Sequence, residues 1–235
     1  MANEQERFAS ALIVGAGSGL SASLARALHK DGVNVALAAR TPNDLAELAI
    51  ETNAQTFACD ASKPADVERL FGELDRGIGA PEIVVYNASY RTRGPFAELD
   101  PLDVERTLAV TAFGGFLVAQ QAVRRMLTRG RGVILLTGAS ASVKGYAESA
   151  PFAMGKFALR GMAQSMAREL SPRGIHVVHV VIDGGIRSER RIEPAGKPAS
   201  MLDPDAIAQT YLHLIQQPRS AWSWEIEVRP WVEKF

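Results

Sequence analysis

The chain has 235 residues, of which 47% are hydrophobic, and its 26 basic and 26 acidic side chains leave no net charge. This composition is typical of a globular protein, with no basic excess to suggest nucleic acid binding and no acidic tail. Cys59 is the one cysteine, which excludes an intrachain disulfide and a multi-cysteine metal site, and no bound metal is predicted. The polar start of the sequence and the lack of a long apolar stretch predict a cytoplasmic protein with no membrane partner.

The first predicted elements are a strand, a glycine-rich turn and a helix. Residues 11–14 form an apolar run, glycines stand at positions 15, 17 and 19, and apolar residues then recur at helical spacing over residues 20–28. A second apolar run covers residues 33–39. This unit binds dinucleotides, because glycines let the backbone approach a pyrophosphate and the helix N-terminus offers it free N–H groups. We predict cofactor contacts from Gly15, Ser18, Gly19 and Leu20, with a plain tight turn as the alternative.

The rest of the chain alternates between helical and strand patterns. Helices are predicted to start at Thr41-Pro42 and at Pro64, and to cover residues 101–129, 149–170 and 204–216. Further strands are predicted at residues 55–59, 82–86, 132–137, 175–182 and 225–228. Such alternation predicts one domain over residues 1–235, an α/β fold of the Rossmann type. We expect a doubly wound parallel sheet of about seven strands with helices on both faces, and a substrate flap at residues 183–203.

Ligands of such sheets bind beyond the carboxyl ends of the strands, so the residues that follow each strand are the candidates. Arg40 follows the second strand, and no acidic residue stands beside it at positions 38, 39 or 41. An acid at this place bonds the ribose hydroxyls of NAD, whereas an arginine suits the 2′-phosphate of NADP. We therefore predict a preference for NADP(H) over NAD(H). A solvated arginine without a ligand is the alternative.

The residues at the strand ends resemble the short-chain dehydrogenase/reductase family. Gly15-Ala-Gly-Ser-Gly19 resembles its phosphate turn, although Ser21 stands where a third glycine is usual. The resemblance continues in Cys59-Asp60-Ala61, in Asn87-Ala88-Ser89, in Phe152-Ala-Met-Gly-Lys156 and in Asp183-Gly184-Gly185-Ile186. These segments match the adenine-binding aspartate, the Asn-Ala-Gly segment, the Tyr-x-x-x-Lys motif and the Pro-Gly segment near the nicotinamide. The resemblance implies cofactor contacts from Asp60, Ala61, Asn87, Ala88, Lys156, Gly184 and Ile186.

The catalytic positions of the family are only partly kept. The resemblance puts Phe152 in place of the proton-donating Tyr, and Thr111 in place of the Asn that supports a water chain. The usual position of the Ser falls on Ala139, which leaves Ser140 as the candidate for orienting the substrate. Lys156 matches, and the resemblance implies that it binds the nicotinamide ribose; a solvated helix lysine is the alternative. Its reference pKa near 10.4 argues against a role as proton donor, and Tyr146 and Tyr90 are candidate substitutes for the phenol.

Together these features predict an NADP(H)-dependent oxidoreductase that transfers a hydride between nicotinamide and a small carbonyl, enone or imine. The alternative is an NADP-binding protein with impaired catalysis that acts through partner contacts. The four histidines are expected to lie far from the groove. A homodimer or homotetramer is predicted from apolar residues on more than one face of the two longest helices. These residues are Val118, Ala119, Ala122 and Met126 on one helix, and Phe157, Met162 and Met166 on the other.

Overall fold

The computed structural model describes residues 7–188 and 191–233, which form one seven-stranded sheet. All strands are parallel, in the order β3-β2-β1-β4-β5-β6-β7. Their bounds are Ser10–Val14 (β1), Asn34–Ala39 (β2), Gln55–Ala58 (β3), Ile83–Tyr86 (β4), Gly132–Thr137 (β5), Ile175–Ile182 (β6) and Glu225–Val228 (β7). The predicted Rossmann-type fold is confirmed, and each strand starts or ends within one residue of its predicted place.

Helices cover both faces of the sheet, so both faces of the central strands are apolar and buried. The helices are Leu20–Lys30 (α1), Ala46–Thr52 (α2), Pro64–Arg76 (α3), Pro101–Leu108 (α4), Gly114–Arg129 (α5), Ala150–Leu170 (α6) and Pro204–Ile215 (α7). The helix predicted from Pro42 begins as a short 3₁₀ turn, Pro42–Leu45. Ile50 of α2 is 84% exposed. Within the described ranges, no helix combines the length and the apolarity that crossing a membrane requires.

The long helix predicted over residues 101–129 is two helices joined by a wider turn. A π-helical turn, Ala109–Phe113, separates α4 from α5. At the start of α5, a Cβ on Gly114 would lie 2.8 Å from the carbonyl oxygen of Ala61, and one on Gly115 would lie 2.6 Å from Cδ1 of Leu159. These two glycines therefore let α5 pack closely against the sheet and against α6. Thr111, which contacts the segment after β4, lies within this π turn.

Candidate active site

Two adjoining cavities lie at the carboxyl edge of the sheet, with volumes of about 530 and 410 Å³. Asn87 and Ser89, which follow β4, line both, so the two cavities form one groove. The first is also lined by Gly15, Ala16, Gly17, Ser18, Arg40, Asp60, Ala61, Ala88 and Tyr90, and the second by Gly19, Leu20, Ile186, Arg187, Ser188 and Arg191. The groove thus brings together residues that the sequence predicted to contact a cofactor.

A larger cavity of about 770 Å³ lies among the described residues at the opposite edge of the sheet, near Arg131 and Trp222. It is formed where the strands begin, with Ile83, Gly132 and Val133 among its lining residues. Because parallel sheets carry ligands beyond the carboxyl ends of their strands, we place the active site in the groove rather than in this larger cavity.

The glycine turn between β1 and α1 has the shape that a phosphate group requires. Gly15 has φ +83°, and a Cβ there would lie 2.5 Å from the Cα of Ala88. By contrast, a Cβ on Gly17 or Gly19 would meet no heavy atom within 4 Å, so the backbone is open toward the groove. No side chain caps the N-terminus of α1, which leaves N–H groups for an anionic ligand. The turn therefore fits a pyrophosphate.

Ser21 takes part in holding this turn. Its hydroxyl donates to the carbonyl oxygen of Gly15 at 3.1 Å and accepts from the side-chain amide of Asn87 at 2.8 Å. Ser21 is 1% exposed, so these bonds lie in the protein interior. The sequence marked Ser21 only as a departure from the glycine pattern. Its hydroxyl in fact connects the turn after β1 to the segment after β4.

Asp60 and Arg40 line the same cavity, and the charge of Arg40 acts on the Asp60 carboxylate. The carboxylate of Asp60 accepts hydrogen bonds from the amide of Ser62 at 3.1 Å and from its hydroxyl at 2.7 Å. Burial acts to raise the pKa of Asp60, but the bonds from Ser62 and the charges of Lys63 and Arg40 lower it, so the group is ionised. Asp60 therefore shapes the loop before α3 as well as lining the groove.

Lys156 is buried at the start of α6 and is 3% exposed, so the alternative of a solvated lysine is wrong. Its ammonium group donates to the carbonyl oxygen of Thr137 at 2.6 Å. Burial lowers the pKa of Lys156 to about 8. The expectation that this lysine keeps a pKa too high for proton donation is thereby corrected, because the apolar surroundings disfavour its charged form.

The ring of Phe152 contacts two cationic side chains. Its centroid is 5.7 Å from Nζ of Lys156 and 4.9 Å from Cζ of Arg91. Ser140, the candidate orienting hydroxyl, begins a short turn after β5, and its carbonyl oxygen accepts bonds from the amides of Val143 and Lys144 at 3.1 and 2.9 Å. Its side chain is half-buried.

Thr111 does not present a free hydroxyl to the groove. It is fully buried, and its Oγ1 lies 3.3 Å from the amide nitrogen and 3.4 Å from the carbonyl oxygen of Tyr90. Thr111 also packs against α6, where a Cβ on Gly155 would lie 2.9 Å from the Cβ of Thr111. Thr111 therefore links the segment after β4 to α6.

The two candidate phenols are placed differently. The Tyr90 hydroxyl donates to the carboxylate of Asp103 at 3.3 Å, and the guanidinium of Arg106 lies 4.4 Å from the centre of its ring. Tyr146 is 47% exposed, in the loop after β5. Tyr90 is therefore already engaged with α4, whereas Tyr146 is still open to contact with a substrate.

His179 lines neither cavity of the groove, but it contacts the loop after β5, which the sequence analysis did not predict. It lies beneath the loop after β5, where a Cβ on Gly138 would be 2.6 Å from its Cε1. Its Nδ1 pairs with Glu225 at 3.0 Å, and Glu225 in turn accepts two bonds from Arg160 at 2.6 and 2.8 Å. Burial lowers the pKa of His179 to about 4, so the ring is neutral. This cluster connects β6, β7 and α6, one helical turn beyond Lys156.

The turn after β6 is held by ionic contacts. Asp183 is 3% exposed, and its carboxylate lies 3.1 Å from Nζ of Lys144 and 3.3 Å from Nη2 of Arg229. Gly184 has φ +152°, and a Cβ there would lie 2.7 Å from Cδ of Pro230. Gly184 lines neither cavity. Its lack of a side chain lets the turn pass close to Pro230, in the segment after β7.

The predicted flap leaves the sheet at this turn and returns to it. The amide of Leu202 donates to the carbonyl oxygen of Gly185 at 2.9 Å, and the amide of Arg187 donates to that of Leu202 at 2.8 Å. Ile186, a predicted cofactor contact, lies between these bonds and lines the second cavity. The flap is thus tied at its base beside the groove.

The sheet, the glycine turn and the groove define a nucleotide-binding protein of the Rossmann type. Residues 9–193 match the model of the short chain dehydrogenase family, so this chain belongs to that family of oxidoreductases. It is 30% identical over 185 residues to versicolorin reductase 1 of Aspergillus parasiticus, covering 76% of this chain and 70% of that protein.

Solved structures of the family superpose closely on this one. A short-chain dehydrogenase of Rhodopseudomonas palustris has a TM-score of 0.82 and 32% identity, over 96% of this chain and 100% of the other. A metagenomic short-chain oxidoreductase in complex with NADP has a TM-score of 0.83 and 25% identity, over 94% and 97% of the two chains. The resemblance drawn from the strand ends is confirmed at the level of the family.

Proposed function

We propose that this protein is an NADP(H)-dependent oxidoreductase that transfers a hydride between the nicotinamide and a small carbonyl, enone or imine substrate. The observation that carries the proposal is the groove, where an open glycine turn and Arg40 meet at the carboxyl edge of the sheet. Lys156 bonds the carbonyl oxygen of Thr137, at the same end of β5. The complex of a structural relative with NADP supports it. We further propose that residues 1–235 act as one cytoplasmic domain and that residues 183–203 are its substrate flap.

Within this proposal each residue has a physical task. The turn at Gly15 and Gly19 binds the pyrophosphate, Arg40 pairs with the 2′-phosphate, and the Lys156 ammonium bonds the nicotinamide ribose. Ile186 lies where the nicotinamide amide would bind, and the Ser140 hydroxyl orients the substrate. The bound cofactor supplies or accepts the hydride, and the chain supplies binding, orientation and charge.

Phe152 determines which substrates the site can reduce efficiently. Reduction of a ketone places negative charge on oxygen, and a phenyl ring has no proton with which to neutralise it. General acid catalysis accelerates such steps by roughly 10²–10⁴-fold. An iminium ion arrives already protonated, and an activated enone can take its proton from water afterwards. We propose that such acceptors react faster than simple ketones, and that slow ketone reduction depends on the buried Lys156.

The test compares matched cyclic ketone and iminium substrates under NADPH saturation, after fluorescence titration with NADPH. Faster iminium reduction supports the proposal. Efficient ketone reduction whose pH profile is abolished by Tyr146→Phe would replace it with a substitute phenol. Tight NADPH binding without turnover of any acceptor would instead favour the cofactor-binding protein that acts through partner contacts. In the Phe152→Tyr variant the ring is kept, so the fold should survive.

The cofactor preference is tested at Arg40. We expect tighter binding of NADPH than of NADH, and Arg40→Ala should reduce the ratio of the two affinities by about tenfold, because one charge-assisted pair to phosphate is lost. Fluorescence titration of both cofactors measures it. Arg168→Ala is the matched control, since Arg168 is exposed and bonds only the carbonyl oxygen of Gln164 on its own helix. Equal affinities in the unmodified protein would contradict the prediction.

The oligomeric state remains a proposal, with a corrected surface. Val118, Ala119, Ala122 and Met126 are buried in the core and cannot form an interface. Four other apolar side chains are 43–48% exposed along α5, the turn before it and α6, namely Phe113, Phe116, Met154 and Phe157.

We propose a homodimer or homotetramer through this face. Phe157→Glu should lower the mass measured by light scattering at micromolar concentration, because a charge cannot be buried unpaired in such an interface. Ile50→Glu is the control, on an exposed apolar residue of α2. A monomeric mass for the unmodified protein would refute the proposal.

A further inference from the structure

Arg91 and Arg93 lie on the loop after β4, and Arg191 lies on the flap; all three residues are exposed. The Arg91 guanidinium lies over the Phe152 ring, 4.9 Å from its centroid. Arg191, on the flap, lines the second cavity, and its side chain crosses Gly185, with Cδ 3.6 Å from where a Cβ would stand. Burial and then the charges of Arg93 and Arg191 lower the pKa of Arg91, which places the three cations within electrostatic reach of one another.

Among the described residues, these three arginines have no acidic ion-pair partner. In the described part of the chain, no carboxylate lies within ion-pair distance of Arg91, Arg93 or Arg191, whereas Arg125 pairs with Asp75 and Arg160 with Glu225. Neighbouring like charges repel one another, and a concave site of one sign concentrates ions of the opposite sign. The cluster therefore has the charge of an anion-binding site.

The loop that carries Arg91 is held in place. Thr111 holds the backbone of Tyr90, as described above, and the amide of Gly94 donates to the carbonyl oxygen of Glu148 at 3.1 Å. The loop is therefore tied to the π-helical turn before α5 on one side and to the segment after β5 on the other. A guanidinium group in a fixed place has the planar donor fork that pairs with two oxygens of a carboxylate or a phosphate.

The same cluster borders the proposed site of hydride transfer. The Phe152 ring contacts both Arg91 and the Lys156 ammonium, and Ser89 lines the second cavity together with Arg191. We propose that Arg91, with Arg93 and Arg191, binds an anionic group of the substrate, a carboxylate or a phosphate carried by the molecule that is reduced. This anion site rests on the proposed function, which identifies the group of the substrate that is reduced.

The experiment measures binding without turnover, in the protein saturated with NADP⁺. The probes are 4-formylbenzoate and 4-formylbenzamide, which share one shape and differ by one charge, and calorimetry gives the two dissociation constants. We expect the benzoate to bind about tenfold more tightly. Arg91→Gln should bring the two constants within about twofold of each other without weakening the amide, since one charge-assisted pair accounts for about a tenfold difference. Arg168→Gln is the control and should leave both constants unchanged.

Other outcomes separate the competing roles of these residues. Equal affinity for the two probes in the unmodified protein, or equal weakening of both by Arg91→Gln, overturns the proposal. Arg191→Gln should weaken the benzoate and leave NADP⁺ affinity unchanged; the reverse pattern would assign Arg191 to the cofactor phosphates. If NADP⁺ fails to bind, the proposed function fails, and the same two probes still test the anion site in the free protein. A third probe, 4-formylphenyl phosphate, distinguishes phosphate from carboxylate as the preferred anion.

Discussion

Replacing Lys156 with methionine is expected to lower kcat/KM for ketone reduction by at least about 100-fold while the protein stays folded. In the proposed reaction the Lys156 ammonium bonds the nicotinamide ribose and donates a proton, next to the Phe152 ring. Loss of a positioned acid alone removes roughly 10²–10⁴-fold in rate. Methionine has a similar length and no charge, so it can occupy the apolar site of the lysine stem. Lys30→Met, on an exposed lysine of α1, is the control.

The stability of this variant should move in the opposite direction from its activity. The pKa of Lys156 is about 8 in the folded protein against 10.5 as its ordinary value, so burial of the charged form costs about 3 kcal/mol below pH 8. One hydrogen bond to Thr137 offsets about 1 kcal/mol of that cost. The variant should therefore be more stable than the unmodified protein at pH 7.

The advantage in stability should shrink as the pH rises from about 8 to 10.5. In this window the unfolded chain binds the proton and the folded chain has lost it, so the unmodified protein gains stability with pH. Urea unfolding of both proteins across this range measures the effect. A variant that is less stable at pH 7 would show that the lysine is retained for the fold rather than for chemistry.

The pH dependence of the rate follows from the same group. If protonated Lys156 is the donor for ketone reduction, the rate should fall as the pH rises through about 8. Reduction of an iminium ion needs no donor and should lack this fall. A ketone profile that stays level through pH 8 to 10 would remove Lys156 from proton transfer and leave it the ribose contact alone.

Local patterns in the sequence were sufficient to predict the fold. Each strand is an apolar run, each helix has its own spacing, and the glycine turn after β1 identifies a dinucleotide-binding unit. In a parallel sheet all strands end at one edge, so naming the residue after each strand was enough to place Arg40, Asp60 and Asn87 in one cavity. This part of the site is a consequence of topology.

The chemistry of the site depends on contacts that the sequence does not display. The lowered pKa of Lys156 comes from its burial in the folded protein, and the role of Thr111 comes from a π turn that periodicity did not reveal. His179 lies in an apolar strand, and only its pairing with Glu225 on β7 shows that it supports the loop after β5. In the sequence Arg91 is one polar residue of a loop, and only the structure shows its contact with the Phe152 ring.

Gly15→Ala should destabilise the protein and abolish cofactor binding together. An alanine at φ +83° is strained by about 1–2 kcal/mol, and its methyl group would overlap the backbone of Ala88, which adds about 1–3 kcal/mol. The backbone of Ala88 cannot yield as a flexible side chain would, because the amide of neighbouring Asn87 donates to the carbonyl oxygen of Val14 at 2.8 Å. We expect a total loss of about 2–5 kcal/mol in the free energy of unfolding.

Substitutions at two other glycines distinguish effects on stability from effects on ligand binding. Gly17→Ala meets no heavy atom within 4 Å, so its stability should stay within about 0.5 kcal/mol, yet its methyl group occupies the space proposed for the pyrophosphate. NADPH affinity should therefore fall by at least tenfold in this variant without a loss of stability. Gly161→Ala lies on α6 with no heavy atom within 4 Å and should be stabilised by about 0.5–1 kcal/mol with unchanged affinity. Urea unfolding and NADPH titration of the three variants decide the matter. If Gly17→Ala binds NADPH as well as the unmodified protein does, the phosphates do not lie against this turn.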